Sequence, residues 1–238
     1  MCAERLAANG IRRVQVIGFM NDMRFKVPEV VRFSHDAGLE VVIGLVYAIS
    51  PRYTDDYYAR KTLEALELKP DRIYLKDPIG LLTPERIRTI IPAIRQHCGN
   101  TPLELHSHCT TGLAPLCYLE AIKLGVSVVH TGIPPLANAA AQPSALNVAS
   151  NARLMGYSTR MDEEVVRRIG NHFGIIAKRE GFPIGVPVEY DYAQHLHQVP
   201  GGVISNLKRQ LTEMRIGHKL AEVLEETARV RKDLGYPM

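Results

Sequence analysis

The sequence predicts an α/β protein built from parallel strand–helix units, and two observations carry the prediction. Apolar, β-branched runs recur about every 30 residues through the first 130 residues, with stretches of helical length and pattern filling the gaps. The runs are also mostly apolar, as strands are when a sheet is covered on both faces or closed into a barrel. A (β/α)₈ barrel and a doubly wound sheet both suit this pattern.

The elements follow in order. RRVQVIGF (12–19) is the first strand, and VPEVVRFSHDAG is a helix ending at glycine. LEVVIGLVYA (39–48) is the second strand and DDYYARKTLEALEL its helix, and RIYLKD (72–77) is the third. Thr83-Pro84 then opens the helix PERIRTIIPAIRQHCG, with a hydroxyl at the cap and proline in the first turn. LELHSH (103–108), the helix LAPLCYLEAIKLG and VSVVHTGI (126–133) complete the alternation, which stops after about residue 140. ALNVASNARLMG, DEEVVRRIGNHFGIIAKREG and GHKLAEVLEETARVRKDLG read as helices of a C-terminal region.

Composition narrows the class. At 238 residues and 46% hydrophobic, the chain can bury a sizeable core. Its 29 basic and 25 acidic residues are mixed along the sequence, which argues against nucleic acid and membrane lipid as partners and leaves a mild preference for small anions. Four cysteines without a C-x-x-C pair, no signal-peptide stretch and no apolar run of spanning length predict a cytoplasmic protein without a membrane span.

Four stretches carry chemistry. In LELHSH, strand alternation puts His106 and His108 on one face with Glu104, an arrangement that suits two imidazoles on one metal ion. In RIYLKDPIGLLTP, Lys76 and Asp77 end a strand and face opposite ways. A lysine facing a barrel interior is costly unless it is paired, neutralised or modified, or reaches solvent at the strand mouth. The loop TGIPPLANAAAQPSALN carries Asn138, Gln142 and Ser144 between rigid prolines, and Ser144 can equally be a helix cap. In HQVPGGVISNLKRQL, Pro200-Gly201-Gly202 predicts a tight turn or a close backbone approach before Ser205 and Asn206.

Taken together, KDPIGLLTP, LELHSHCTTGLA, VVHTGIPPLANAAAQPS and QVPGGVISNLKRQL resemble, in order and spacing, the carboxyltransferase domain of biotin-dependent enzymes. These include pyruvate carboxylase, the oxaloacetate decarboxylase α subunit and the transcarboxylase large subunit. They belong to a barrel superfamily shared with hydroxymethylglutaryl-CoA lyase. The resemblance implies a partial TIM barrel, strands four to eight, over residues 1–157 and a C-terminal helical region over 158–238. It implies a carbamylated Lys76 that binds a divalent metal (Zn²⁺, Mn²⁺ or Co²⁺) with His106 and His108. Lys76 and Ser144 would then be catalytic, and Gln15, Asn138 and Gln142 would bind substrate.

The implied reaction is carboxyl transfer between carboxybiotin and a small 2-oxo acid through an enolate. The partners would be a biotin carboxyl carrier protein or a biotin carboxylase subunit, with a homo-oligomer also expected. Two features depart from the family pattern. Three strands, including the one bearing an aspartate ligand, have no counterpart in these residues. Ala140 and Gln15 stand where pyruvate-specific members carry a threonine and an arginine. The rival readings are a biotin-independent metal-dependent C–C lyase, in which Cys109 would follow the H-x-H, and a non-catalytic fragment.

Overall fold

The computed structural model describes residues 2–237. α1 (Cys2–Ala8) leads into β1 (Arg13–Ile17), and then α2 (Val27–Asp36), β2 (Glu40–Val46), α3 (Asp55–Leu66), β3 (Arg72–Asp77), α4 (Pro84–Cys98), β4 (Leu103–Ser107), α5 (Ala114–Lys123) and β5 (Val128–Val129) alternate. Every neighbouring pair of strands is parallel, and the order in the sheet is the order in the chain. An unreversed order is that of a barrel wall; a doubly wound sheet reverses at a switch point. The sheet is therefore an arc of barrel, open at β1 and β5 among the described residues.

Register divides the side chains cleanly. Val16, Ile43, Leu45, Ile73, Leu75, Leu103 and Leu105 point outward and join Tyr58, Ile87, Ile90, Ile91, Ile94 and Tyr118 of the covering helices in one buried core. The other face presents Arg13, Gln15, Glu40, Arg72, Tyr74, Lys76, Glu104 and His106.

The helix at Pro84 starts where its cap predicts, and α3 starts at a second threonine cap. The Thr54 hydroxyl accepts from the Tyr57 amide at 3.3 Å, and the Thr83 hydroxyl accepts from the Arg86 amide at 3.1 Å with Pro84 behind it. β5 is shorter than the sequence predicts, with two ladder residues in place of 126–133. Its pairing carries on only as far as the His130 amide, which donates to the Leu105 carbonyl at 2.9 Å, before Gly132 and the two prolines turn the chain away.

α6 (Ala145–Leu154), α7 (Glu163–Glu180), α8 (Ala193–His197), α9 (Gly201–Glu213) and α10 (Leu220–Asp233) form the helical remainder. Pro200-Gly201-Gly202 is the start of α9, in place of the expected tight turn. The close approach is real, because a Cβ on Gly201 would lie 3.0 Å from both the Ala140 Cβ and the Thr110 hydroxyl oxygen. The Gln198 amide is bonded both ways to the Ile49 backbone at 3.0 Å, and Tyr53 Oη donates to the Tyr236 carbonyl at 2.5 Å. These contacts hold the C-terminal helices against the loop that leaves β2. Among the described residues no helix is long and apolar enough to cross a membrane.

Candidate metal centre

Lys76 and His106 are register partners at the ends of β3 and β4. The ladder continues one step beyond them, where the His108 amide donates to the Asp77 carbonyl at 3.1 Å, so His108 sits just past the strand end on the same side as His106.

Asp77 builds the turn that fixes this corner. Fully buried, its carboxylate accepts from the amides of Ile79, Gly80 and Leu81 on one oxygen and of Leu82 on the other, at 2.8 to 3.3 Å. The Ser107 hydroxyl of the adjacent strand donates to it at 2.8 Å. Burial pushes the carboxyl up while these donors pull it down. Gly80 closes the turn at a φ of 78°, and a Cβ there would meet the His108 carbonyl oxygen.

The two imidazoles converge. The Nε2 atoms of His106 and His108 lie 3.3 and 3.1 Å from one atom, Gln142 Nε2, and the rings are 5.1 Å apart. Burial is the main cause that lowers His106 to about 3, with His108, His130 and Lys76 adding to it, so the ring keeps a lone pair at neutral pH. Burial likewise lowers the Lys76 ammonium, which favours a free amine. Two imidazole Nε2 atoms directed at one point, beside an amine in register, fit part of a cation's coordination shell. Among the described residues no group of three or more His, Cys, Asp and Glu side chains gathers to hold a metal, so a carboxylate ligand is not among them.

The remaining predicted residues take varied places. Gln142 meets both histidines directly. Asn138, at a φ of 71°, shapes the loop: its Oδ1 accepts from the Ser144 amide at 3.3 Å, and its own amide donates to the Gln142 carbonyl at 2.8 Å. Ser144 caps α6 by accepting from the Asn147 amide at 3.4 Å. Gln15 is exposed on β1, paired in register with Val42. Cys109 is buried, its thiol pushed up to about 12, and an uncharged thiol is a poor metal ligand.

Behind the histidines, alternation places Glu104 on their face, whereas His130 escapes sequence reading. His130 Nδ1 lies 3.1 Å from His106 Nδ1, and His130 Nε2 lies 2.9 Å from Glu104 Oε2. His108 Nδ1 lies 2.5 Å from the Ala140 carbonyl oxygen. The available signal for His130 is its period-two spacing from Val128 at the end of β5.

Residues 12–172 match the HMGL-like family, and residues 195–238 match a conserved carboxylase domain. The chain is 34% identical over 96% of its length to a pyruvate carboxylase subunit of Methanocaldococcus jannaschii, and covers 40% of that protein. It is 33% identical over 98% of its length to the methylmalonyl-CoA carboxyltransferase 5S subunit of Propionibacterium freudenreichii subsp. shermanii, of which it covers 46%. Its fold matches the carboxyl transferase domain of Rhizobium etli pyruvate carboxylase with a TM-score of 0.91 at 21% identity, over 99% of this chain and 40% of that one. The chain thus spans less than half the length of these relatives.

Proposed function

The chain belongs to the HMGL-like family, and on that basis we propose that it carries the metal-holding wall of a biotin-dependent carboxyltransferase acting on a small 2-oxo acid. One observation carries the reading: the Nε2 atoms of His106 and His108 meet at a single point beside Lys76. A carbamate on Lys76 turns a cation into an anionic oxygen donor, and the desolvated amine is the form that takes up CO₂. A divalent cation held by these three groups supplies Lewis-acid stabilisation of the charge that develops on the 2-oxo acid as it becomes an enolate.

The chain's own residues do the rest. Asp77 and Gly80 fix the strand ends, so that the donors are preorganised. Gln142, in contact with both imidazoles, is the residue of the 138–144 loop best placed to meet substrate. Asn138 and Ser144 give that loop its shape, and Gln15 would contact substrate from β1. Ala140 brings no hydroxyl, so a proton passing between substrate and biotin needs another carrier, and this favours a 2-oxo acid other than pyruvate. Biotin would come on a carrier domain or protein, as the relatives' names imply.

The test is metal content and affinity on the full chain. About one equivalent of Zn²⁺, Mn²⁺ or Co²⁺, lost in His106→Ala, supports the reading. No binding of any of the three at neutral pH would sink it.

A further inference from the structure

The contacts around His106 and His108 form one chain of hydrogen bonds, and its proton order can be worked out from both ends. At one end the Ala140 carbonyl only accepts, so His108 Nδ1, 2.5 Å away, must be the donor. With the ring neutral, His108 Nε2 is a bare lone pair, and Gln142 turns its NH₂ toward it at 3.1 Å. That NH₂ also lies 3.3 Å from His106 Nε2 and can only donate, so His106 Nε2 is bare as well. The His106 proton is therefore on Nδ1, donated to His130 Nδ1 at 3.1 Å.

The other end agrees independently. Glu104 Oε1 faces two guanidinium groups, Arg13 Nη1 and Arg72 Nη1, each at 3.4 Å, and the arginines are held in turn by Glu40 at 2.8 and 2.5 Å. Glu104 Oε2 is left to accept from His130 Nε2 at 2.9 Å, which in a neutral ring puts the His130 proton on Nε2 and leaves its Nδ1 bare for His106. Both ends assign the same tautomer to both rings. Each strand contributes to the polar chain: Arg13 from β1, Glu40 from β2, Arg72 from β3, Glu104 and His106 from β4, and His130 just past β5.

We infer that Glu104 and His130 are positioning residues that lock His106 in its Nδ1–H tautomer, so that its Nε2 lone pair is always presented to the site. The tautomer assignment stands on the hydrogen bonds between neutral rings; its consequence for metal binding rests on the proposed function. Carboxylates and imidazoles behind a histidine ligand hold its orientation and basicity, and their loss costs about 10- to 100-fold in metal affinity.

Glu104→Gln tests this by exchanging one carboxylate oxygen for an NH₂. In E104Q the remaining side-chain oxygen stays with the two arginines, so the NH₂ replaces the acceptor at His130 Nε2. The His130 proton must then move to Nδ1, and the His106 proton to Nε2, where it blocks the lone pair. The ¹⁵N shifts of the imidazole nitrogens in the metal-free full chain read this directly. In the parent, Nδ1 of His106 is pyrrole-like and Nε2 pyridine-like; in E104Q the two exchange, and Zn²⁺ affinity falls about 10- to 100-fold. A parent with the proton on His106 Nε2, or an E104Q chain with unchanged tautomers, overturns the inference.

Should E104Q lose cooperative unfolding, the pair His130→Leu and His130→Gln replaces it. H130L removes the acceptor and releases His106 into a tautomer mixture, and H130Q, whose amide oxygen can accept, restores the Nδ1–H form. An H130L chain that keeps the pure Nδ1–H form counts against the inference. Tautomers as assigned in a parent that binds no Zn²⁺ uphold the proton order and defeat the metal reading instead.

Discussion

The two faces of the five-stranded sheet use the same strands for opposite purposes. Outward-facing residues, among them Ile43, Ile73, Leu75 and Leu105, are fully buried under α2 to α5 and hold the fold by apolar contact. Inward-facing residues one position away carry arginine, glutamate, lysine and histidine, and ion pairs and hydrogen bonds link the arginines, glutamates and histidines. Strand alternation thus lets stability and chemistry be set separately within five short segments, and the structure predicts that substitutions on the two faces read out differently.

The largest effect belongs to the outer face. Leu75→Ala should cost about 2–5 kcal/mol in urea unfolding, because the side chain is 0% exposed and leaves a cavity. A loss under about 1 kcal/mol would mean that the sheet is not packed as described. Asp77→Ala, at the junction of the faces, should break the separation. It strands buried backbone donors of the 79–82 turn and the Ser107 hydroxyl, costs about 1–3 kcal/mol, and weakens metal binding at a residue that touches no metal. Unchanged metal affinity would show that the turn does not hold the site.

On the inner face, acid is the probe. His106 stays neutral in the folded chain down to about pH 3, whereas its unfolded imidazole takes a proton near 6.5. Between those values the unfolded state binds more protons, so folding stability falls as pH drops from about 6.5 toward 3. His106→Ala should flatten that part of the stability–pH curve in the metal-free chain, and an identical slope in both chains would contradict the half-buried, neutral ring. The smallest effect is at Tyr74. Its buried hydroxyl has no hydrogen-bond partner among the described residues, so Tyr74→Phe should shift stability by no more than about 1 kcal/mol. A larger loss would reveal a partner.

The strands were legible because their signal is local: apolar runs, the helix cap at Thr83, and a glycine after a helix are written in consecutive residues. Alternation alone put Glu104, His106 and His108 on one face. Sequence order could not choose between barrel and doubly wound sheet from pattern alone; the pairing order did. α9 was hidden behind Pro200-Gly201-Gly202, where glycine serves a close approach to Ala140 in place of a turn. The site was legible as far as its first side chains and no further. Arg13, Arg72 and His130 reach Glu104 from three other segments of the chain, and only tertiary register brings them together. The loop residues show the opposite limit: the hydroxyl of Ser144 was as good a cap as a catalytic group on paper, and the fold uses it to start α6.

The proposed function turns on one cation at the point where the two imidazoles converge. Calorimetric titration of the full, metal-free chain with Zn²⁺, alongside His106→Ala and His108→Ala, decides whether it binds there. A single site of about one equivalent is expected in the parent, and loss of that site in each variant, with all three chains still unfolding cooperatively. A parent chain without a binding isotherm, or variants that bind as tightly as the parent, would contradict it.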